Sequence, residues 1–232
     1  MDFNCIYNID CLDGMKQLSD ESIDLIITSP PYNLGKTHHT GNHRFESYSQ
    51  YNDDMPENLY QEWQIKVLNE CYRVLKQNGS MWYNHKNRIK NGAQITPYEW
   101  IFQTNFIVKQ EIVWENGSQN FDKIRFYPMT ERVYWLTKDR KTKMFNIINH
   151  HDLFKRNEWI PVKTKGSHKR AFPEKMCTDI ISCFPESNII LDPFMGSGTV
   201  AVAAKSLNKI FIGFEIDYEY CKTAQERIDQ TK

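Results

Sequence analysis

No stretch of this 232-residue chain holds the roughly 18 consecutive apolar residues that a membrane helix needs. The start, Met1 to Gly14, carries aspartate but no basic segment ahead of an apolar run, so it does not read as a signal peptide. The expected location is therefore the cytoplasm, with no membrane partner. No internal repeat or low-complexity tract is visible, and the length fits one domain, with or without an insertion. Six cysteines stand at 5, 11, 71, 177, 183 and 221, and none forms a C-x-x-C pair. That argues against a zinc knuckle or a thioredoxin-type centre and reads as thiols packed as small hydrophobes.

The chain also lacks net charge, with 29 basic and 29 acidic residues. Its charge is nevertheless unevenly spread. From Phe121 to Lys175 there are 14 Lys and Arg against 6 Asp and Glu, a surplus of +8 balanced by −8 elsewhere. Such separation can present one basic face on a neutral molecule, although a solvated lysine-rich surface would give the same count.

The pattern of elements alternates. Ile23 to Thr28 is a short apolar run stopped by Ser29-Pro30-Pro31, which predicts a buried strand ending in a rigid loop. Cys5 to Ile9 predicts a shorter strand before Asp10. Leu59, Trp63, Val67, Cys71 and Leu75 recur at helical spacing, so the expected helix covers Pro56 to Lys76 with Asn78-Gly79 as its C-cap. Further strands are expected at Ser80 to Tyr83, Phe106 to Trp114, Ile189 to Leu191 and Ile210 to Phe214. Further helices are expected at Pro97 to Gln103, Pro173 to Cys183, Val200 to Leu207 and Asp217 to Ile228. Alternating strands and helices predict an α/β fold with a mostly parallel sheet covered on both faces. Gly117 to Gly166 shows the least regular pattern. Gly35 to Asp54 is polar and long, the composition of either a functional lid or a disordered segment. Its His38, His39 and His43 suggest a metal, but no fourth ligand is evident and no metal is expected.

Two segments carry chemistry. The first is Asp192-Pro193-Phe194-Met195-Gly196-Ser197-Gly198-Thr199, between a strand and a helix. Glycines there admit close backbone approach to a ligand, and the helix start offers unpaired N–H groups. Glu215 follows Asp192 by 23 residues at the end of the next strand, where a carboxylate can accept ribose hydroxyls. With Ala201 the loop also satisfies a dinucleotide pattern, so a nicotinamide-dependent dehydrogenase stays open at this point.

The second segment is Ser29-Pro30-Pro31-Tyr32, followed by Asn33. The exocyclic nitrogen of cytosine or adenine is a poor nucleophile because its lone pair is delocalised. Two acceptors aimed at its hydrogens, the Ser29 hydroxyl and the Pro30 carbonyl, favour a pyramidal nitrogen. Pro30 and Pro31 fix that geometry in advance. Tyr32 offers a face on which an extruded base can stack.

Together these motifs resemble the beta group of amino DNA methyltransferases, the N4-cytosine and N6-adenine enzymes, over nearly the whole chain. The resemblance implies a Rossmann-like S-adenosylmethionine-dependent methyltransferase fold in permuted order, the catalytic segment preceding the cofactor loop. It implies S-adenosylmethionine as cofactor, held by Asp10, Cys11, His168, Phe172, Pro173, Asp192, Phe194, Gly196, Ser197, Gly198, Thr199, Glu215 and Ile216. His168 to Pro173 resembles the segment that holds the methionine part, and Asp10-Cys11 the site of an acid facing adenine. Glu111 to Trp114 resembles a strand walling the base pocket. The implied reaction is direct in-line methyl transfer without a covalent enzyme intermediate. Ring-carbon methyltransferases use a Pro-Cys nucleophile, and no cysteine here follows a proline.

By the same resemblance, Ser-Pro-Pro-Tyr points to N4 of cytosine, with N6 of adenine the alternative. Serine is a competent acceptor for either amine. Residues 117–165 are the expected small basic target-recognition insert for double-stranded DNA. They separate a catalytic part, 1–116, from a cofactor-binding part, 166–232. A homodimer and a cognate restriction endonuclease are the other partners the resemblance allows. A non-catalytic DNA-binding module with a degenerate cofactor site is a further reading, against which the intact motifs speak.

Overall fold

The computed structural model describes residues 1–34, 53–115, 124–126, 129–144 and 173–231, with backbone pairing alone at 158–159. His38, His39, His43, His168 and Phe172 lie outside the described residues.

The chain opens with β1 (Cys5–Asn8), α1 (Cys11–Met15) and β2 (Ile23–Thr28). Then come α2 (Glu57–Val74), β3 (Leu75–His85), the β4 (Arg88–Lys90) and β5 (Ala93–Ile95) hairpin, and α3 (Tyr98–Ile101). β6 (Ile107–Glu115), β7 (Thr130–Thr137) and β8 (Glu158–Trp159) follow. The last part holds α4 (Glu174–Ser182), β9 (Ile189–Asp192), α5 (Thr199–Ser206), β10 (Ile210–Glu215) and α6 (Tyr218–Gln230).

Among the described residues the main sheet runs β1-β10-β9-β2-β3-β7-β6-β8. β1, β10, β9, β2 and β3 pair in parallel, and β7 runs antiparallel to both β3 and β6. One face packs α1, α2 and α3 through Met15, Tyr60, Leu68, Cys71 and Trp100 onto Ile26, Met81 and Leu191. The other packs α4, α5 and α6 through Met176, Ile180, Val202 and Ile228 onto Leu25, Trp82 and Ile190. β2 supplies apolar side chains to both layers, which is why it reads as a run rather than an alternation. Each aliphatic side chain so buried contributes ~1.5–3 kcal/mol before entropy is set against it. This is the mostly parallel α/β fold the sequence predicts, with helices on both faces.

Three details differ from expectation. Helix α2 ends at Val74, and Leu75 is already extended at φ −70, ψ 135, so Asn78-Gly79 is no helix cap. Gly79 instead lies in an irregularity of the β2–β3 ladder, where register shifts between Ile23 and Leu25. A Cβ there would stand 2.7 Å from Leu75 Cδ1 and 2.9 Å from the Asp24 carbonyl, so close approach requires the glycine. Second, Asn91 (φ 51) and Gly92 (φ 81) turn the short hairpin between Lys90 and Ala93. Third, Thr130–Thr137, inside the segment that reads as irregular and basic, is a sheet strand paired on both sides.

Candidate active site

A parallel sheet aligns the C-terminal ends of its strands on one edge, and both motifs arrive there. β2 delivers Ser29 to Tyr32, and β9 delivers Asp192 to Gly198. β10 delivers Glu215 and Ile216, β1 delivers Asp10, and β3 delivers Asn84 and His85. β2 and β9 are neighbours, and the Thr28 hydroxyl donates to Asp192 Oδ1 at 2.7 Å. One buried hydrogen bond thus joins the two motifs across 164 residues of chain.

At the catalytic end, Ser29 Oγ lies 2.9 Å from the Tyr32 hydroxyl. That hydroxyl donates to Glu131 Oε2 at 2.8 Å. Asn84 Nδ2 faces Ser29 Oγ at 3.3 Å, Glu131 Oε2 at 2.8 Å, and the Tyr32 oxygen. Four side chains from β2's loop, β3 and β7 therefore close one polar cluster. Among the described residues nothing donates to the Pro30 carbonyl.

The loop is braced from below. Tyr60 of α2 offers its single hydroxyl hydrogen to two acceptors, the Pro31 carbonyl at 2.7 Å and His85 Nε2 at 2.7 Å. Gln64 Nε2 donates to the Tyr60 oxygen at 2.8 Å. Tyr83 donates to Gln64 Oε1 at 2.9 Å, and Trp100 Nε1 donates to Tyr83 at 3.0 Å. Burial holds the His85 imidazole down at about 3, so it is neutral. Its Nδ1 then carries the hydrogen given to the Lys86 carbonyl, and Nε2 accepts. The His85 ring lies 4.7 Å from that of Tyr32, tilted by 45°. Beyond the tyrosine, Asn33 at φ 54 bonds Asp53 and both backbone groups of Met55, which fixes the loop's exit.

At the cofactor end, Gly196 and Gly198 take φ 50 and φ 83, the left-handed region where glycine carries no Cβ penalty. Glu215 Oε2 accepts from Gly196 N–H and Oε1 from Asp217 N–H, both at 2.8 Å. Each carboxylate oxygen retains a lone pair for a further donor such as a hydroxyl. A Cβ on Gly196 would meet only the Phe194 carbonyl, at 3.9 Å, so the space over the loop is open to a ligand. Arg227 of α6 donates to the Ser197 carbonyl at 2.5 Å, to Ser197 Oγ at 3.1 Å and to Thr199 Oγ1 at 3.3 Å. It also reaches Glu174 at 3.8 Å, which brings the start of α4, and Pro173 with it, beside the glycine loop. Phe194 packs edge-on against Trp63 at 5.6 Å. Asn8 Nδ2 bonds the carbonyls of Glu215 and Ile216, both at 2.9 Å, so the ends of β1 and β10 stay together.

Residues 23–226 match the family model of the N6/N4-type DNA methylases. The chain belongs to this DNA methylase family. It is 29% identical over 258 residues to the type II methyltransferase M.BglII of Bacillus subtilis, covering 96% of this chain and 68% of that one. With the type II methyltransferase M.HpaI of Haemophilus parainfluenzae it shares 31% over 240 residues, covering 93% and 71%. Its fold superposes on PvuII DNA methyltransferase, described as cytosine-N4-specific, with a TM-score of 0.78 at 20% identity, covering 96% and 85%. At that identity the likeness concerns the fold. The M1.HpyAVI–SAM complex gives 0.64 at 27% identity, covering 97% and 98%. Family membership sets the dehydrogenase reading aside.

In this DNA methylase the sequence-predicted residues divide by position. Ser29, Pro30, Pro31 and Tyr32 meet at the β2 edge, and Asp192 to Thr199 with Glu215 and Ile216 line the neighbouring edge. The Asp10 carboxylate caps α1, accepting from Leu12 N–H at 2.8 Å. The Cys11 thiol is buried, and burial pushes it well above the usual thiol range. Burial likewise raises Cys183 to about 12 and Cys221 to about 11, so these are poor sources of thiolate. Asp192 is raised to about 7, chiefly by burial, with the Thr28 and Phe194 hydrogen bonds acting in the opposite sense. Burial raises Glu215 as well. Asn84 and Glu131 are site residues that the sequence motifs do not contain.

Proposed function

We propose that this DNA methylase transfers the methyl group of S-adenosylmethionine to N4 of cytosine in double-stranded DNA, acting on a base turned out of the helix. The observation that carries the reading is the Ser29 hydroxyl, fixed by Tyr32 and Asn84 and coupled through Thr28 to the glycine loop. S-adenosylmethionine, the methyl donor of this family, supplies an electrophilic methyl on sulfur when bound. Glu215 accepts its ribose hydroxyls, the loop Gly196 to Thr199 admits it closely, and Phe194 with Trp63 walls the pocket. The wall and Asp10 face the adenine side, with Cys11 and Ile216 close by. His168, Phe172 and Pro173 belong to the methionine side by family resemblance.

Across the Thr28–Asp192 bond, Ser29 Oγ and the Pro30 carbonyl accept from the target amine and turn its lone pair toward the methyl carbon. Tyr32 stacks on the base while its hydroxyl stays in the polar cluster. The methyl passes in line, with no bond to the enzyme.

We assign base reading to the basic segment 117–165, flanked by a catalytic part, 1–116, and a cofactor part, 166–232. Thr130–Thr137 serves the sheet, so contacts with DNA fall to the remainder of that segment. Its Lys and Arg residues set affinity through phosphates, and few side chains set sequence. A short reader favours a short target or a homodimer, and the resemblance allows a cognate restriction endonuclease as companion.

The test is nucleoside mass spectrometry on unmethylated genomic DNA incubated with protein and S-adenosylmethionine. N4-methylcytosine should rise with wild-type protein and stay at background with Ser29→Ala, while cofactor binding persists in both. A rise in N6-methyladenine instead would keep the mechanism and overturn the choice of base. Neither product, with cofactor bound, would overturn DNA as the substrate.

A further inference from the structure

Methyl transfer to an amine leaves a proton to be placed. The exocyclic nitrogen gains a bond to carbon and becomes cationic until one of its hydrogens departs. Ser29 can receive that hydrogen only by passing on its own, since a hydroxyl is a poor final resting place for a proton. The polar cluster around Ser29 ends in a carboxylate, and that carboxylate fixes the direction of the chain of hydrogen bonds.

The hydrogens can be counted. A carboxylate only accepts. Tyr32 has one hydroxyl hydrogen, and it goes to Glu131 Oε2 at 2.8 Å. The tyrosine oxygen can then accept from Ser29, whose oxygen is 2.9 Å away. Asn84 has two amide hydrogens and three acceptors within reach: Ser29 Oγ at 3.3 Å, Glu131 Oε2 at 2.8 Å and the Tyr32 oxygen between them. The run is therefore Ser29 to Tyr32 to Glu131, each oxygen donating to the next. Asn84, on β3 beside the β7 strand that carries Glu131, spans the ends with Nδ2.

We propose that Glu131 is the proton acceptor of the methyl transfer, acting through Tyr32 and Ser29. The proposal rests on the reading of the site as an amino DNA methylase. The carbon–sulfur bond breaks and its electron pair stays on sulfur, while the amine lone pair forms the new carbon–nitrogen bond. A proton moves from that nitrogen to Ser29 Oγ as the Ser29 proton moves to Tyr32 and the Tyr32 proton to Glu131 Oε2. The nitrogen–hydrogen electron pair returns to nitrogen as its lone pair. Sulfur goes from cationic to neutral and Glu131 from anionic to neutral, so no net charge is created in a half-buried site. Glu131 touches no reacting atom and is a positioning and relay residue. Asn84 holds the two ends of the relay at a fixed separation.

Single-turnover methylation at saturating cofactor and DNA tests the relay. Glu131→Gln keeps the side chain's shape and removes the basic oxygen. It should slow transfer by about 100-fold, the scale of lost general-base assistance, with cofactor and DNA affinities unchanged. Tyr32→Phe keeps the ring and cuts the relay in its middle. The double variant should be no slower than the slower single one, since both break one pathway. Glu131→Ala should recover when formate or acetate is added and not when chloride is added at equal ionic strength, while Glu131→Asp should retain part of the rate. Wild-type turnover with an equally fast Glu131→Gln overturns the inference. So does a slow Glu131→Ala that no carboxylate restores, or a double variant whose losses multiply. Wild-type protein that binds the cofactor and leaves DNA unmethylated would instead bring down the parent reading, and this step with it.

Discussion

Gly198 gives the most direct test of how the cofactor loop is built. Its φ of 83 lies in the left-handed region, where an L-residue costs ~1–2 kcal/mol. A Cβ added there would stand 2.8 Å from Ala224 Cβ, 3.0 Å from Ala224 Cα and 3.4 Å from the Ala224 carbonyl. Carbon atoms prefer about 3.5–4.0 Å. Ala224 is fully buried and has no flexible end to move, so helix α6 itself must shift. Overpacking of that kind costs ~1–3 kcal/mol. Gly198→Ala should therefore lose roughly 2–5 kcal/mol, a fall of about 4–20 °C in melting temperature for a chain of this size. Gly196→Ala is the control: φ is 50, but its Cβ would meet one carbonyl at 3.9 Å, so only the backbone cost of ~1–2 kcal/mol applies. Thermal melts of both variants, with and without S-adenosylmethionine, check the difference. Adding Ala224→Gly to Gly198→Ala should return part of the loss, offset by a helix penalty of about 1 kcal/mol. If Gly198→Ala melts no lower than Gly196→Ala, close packing of α6 on the loop is not what demands the glycine.

Asp192 and Tyr60 supply two further tests. Asp192 has its folded value raised from 3.8 to about 7, so the folded state keeps a proton that the unfolded chain has already lost. The Asp192 contribution to stability is then greatest in acid and is lost as pH rises from about 4 through about 7, by about 4 kcal/mol in all. Asp192→Asn removes this dependence, so denaturation at pH 5 and pH 8 should show the variant gaining on wild type at the higher pH. An equal difference at both would refute the assignment. Tyr60→Phe deletes the hydroxyl between the Pro31 carbonyl and His85 Nε2. Leaving such buried groups unmatched costs about 1–3 kcal/mol, so urea denaturation should report that loss. Methylation should fall further than cofactor affinity, because the braced loop carries Ser29.

The parts of the site visible in the sequence are those where local backbone chemistry is unusual. Consecutive prolines after an apolar run, and two glycines between a strand and a helix, mean the same thing in almost any fold. Asn84 and Glu131 have no such local signature. They are ordinary polar residues on strands, and only the pairing of β3 with β7 brings them beside Ser29. β7 itself was hidden because its later residues are buried without alternation and its flanks are strongly basic. Asn78-Gly79 misled for a related reason. A glycine after a helical pattern suits a cap, but here strand proximity demands it. The β4–β5 hairpin goes unread in the sequence although Asn91-Gly92 is a hairpin-turn pair, because three-residue strands are too short to show a period.

The pairing of β1 with β10, 207 residues away, has a kinetic meaning. Strands that wait so long for their partners bear a large loop-closure cost before any contact rewards them. The acceptor at Ser29 and the loop at Gly196 sit on strands that become neighbours only once β9 has docked beside β2. A partly folded chain thus has neither a methyl-donor pocket nor an activated amine site, and recovery of methylation on refolding reports closure of the whole sheet.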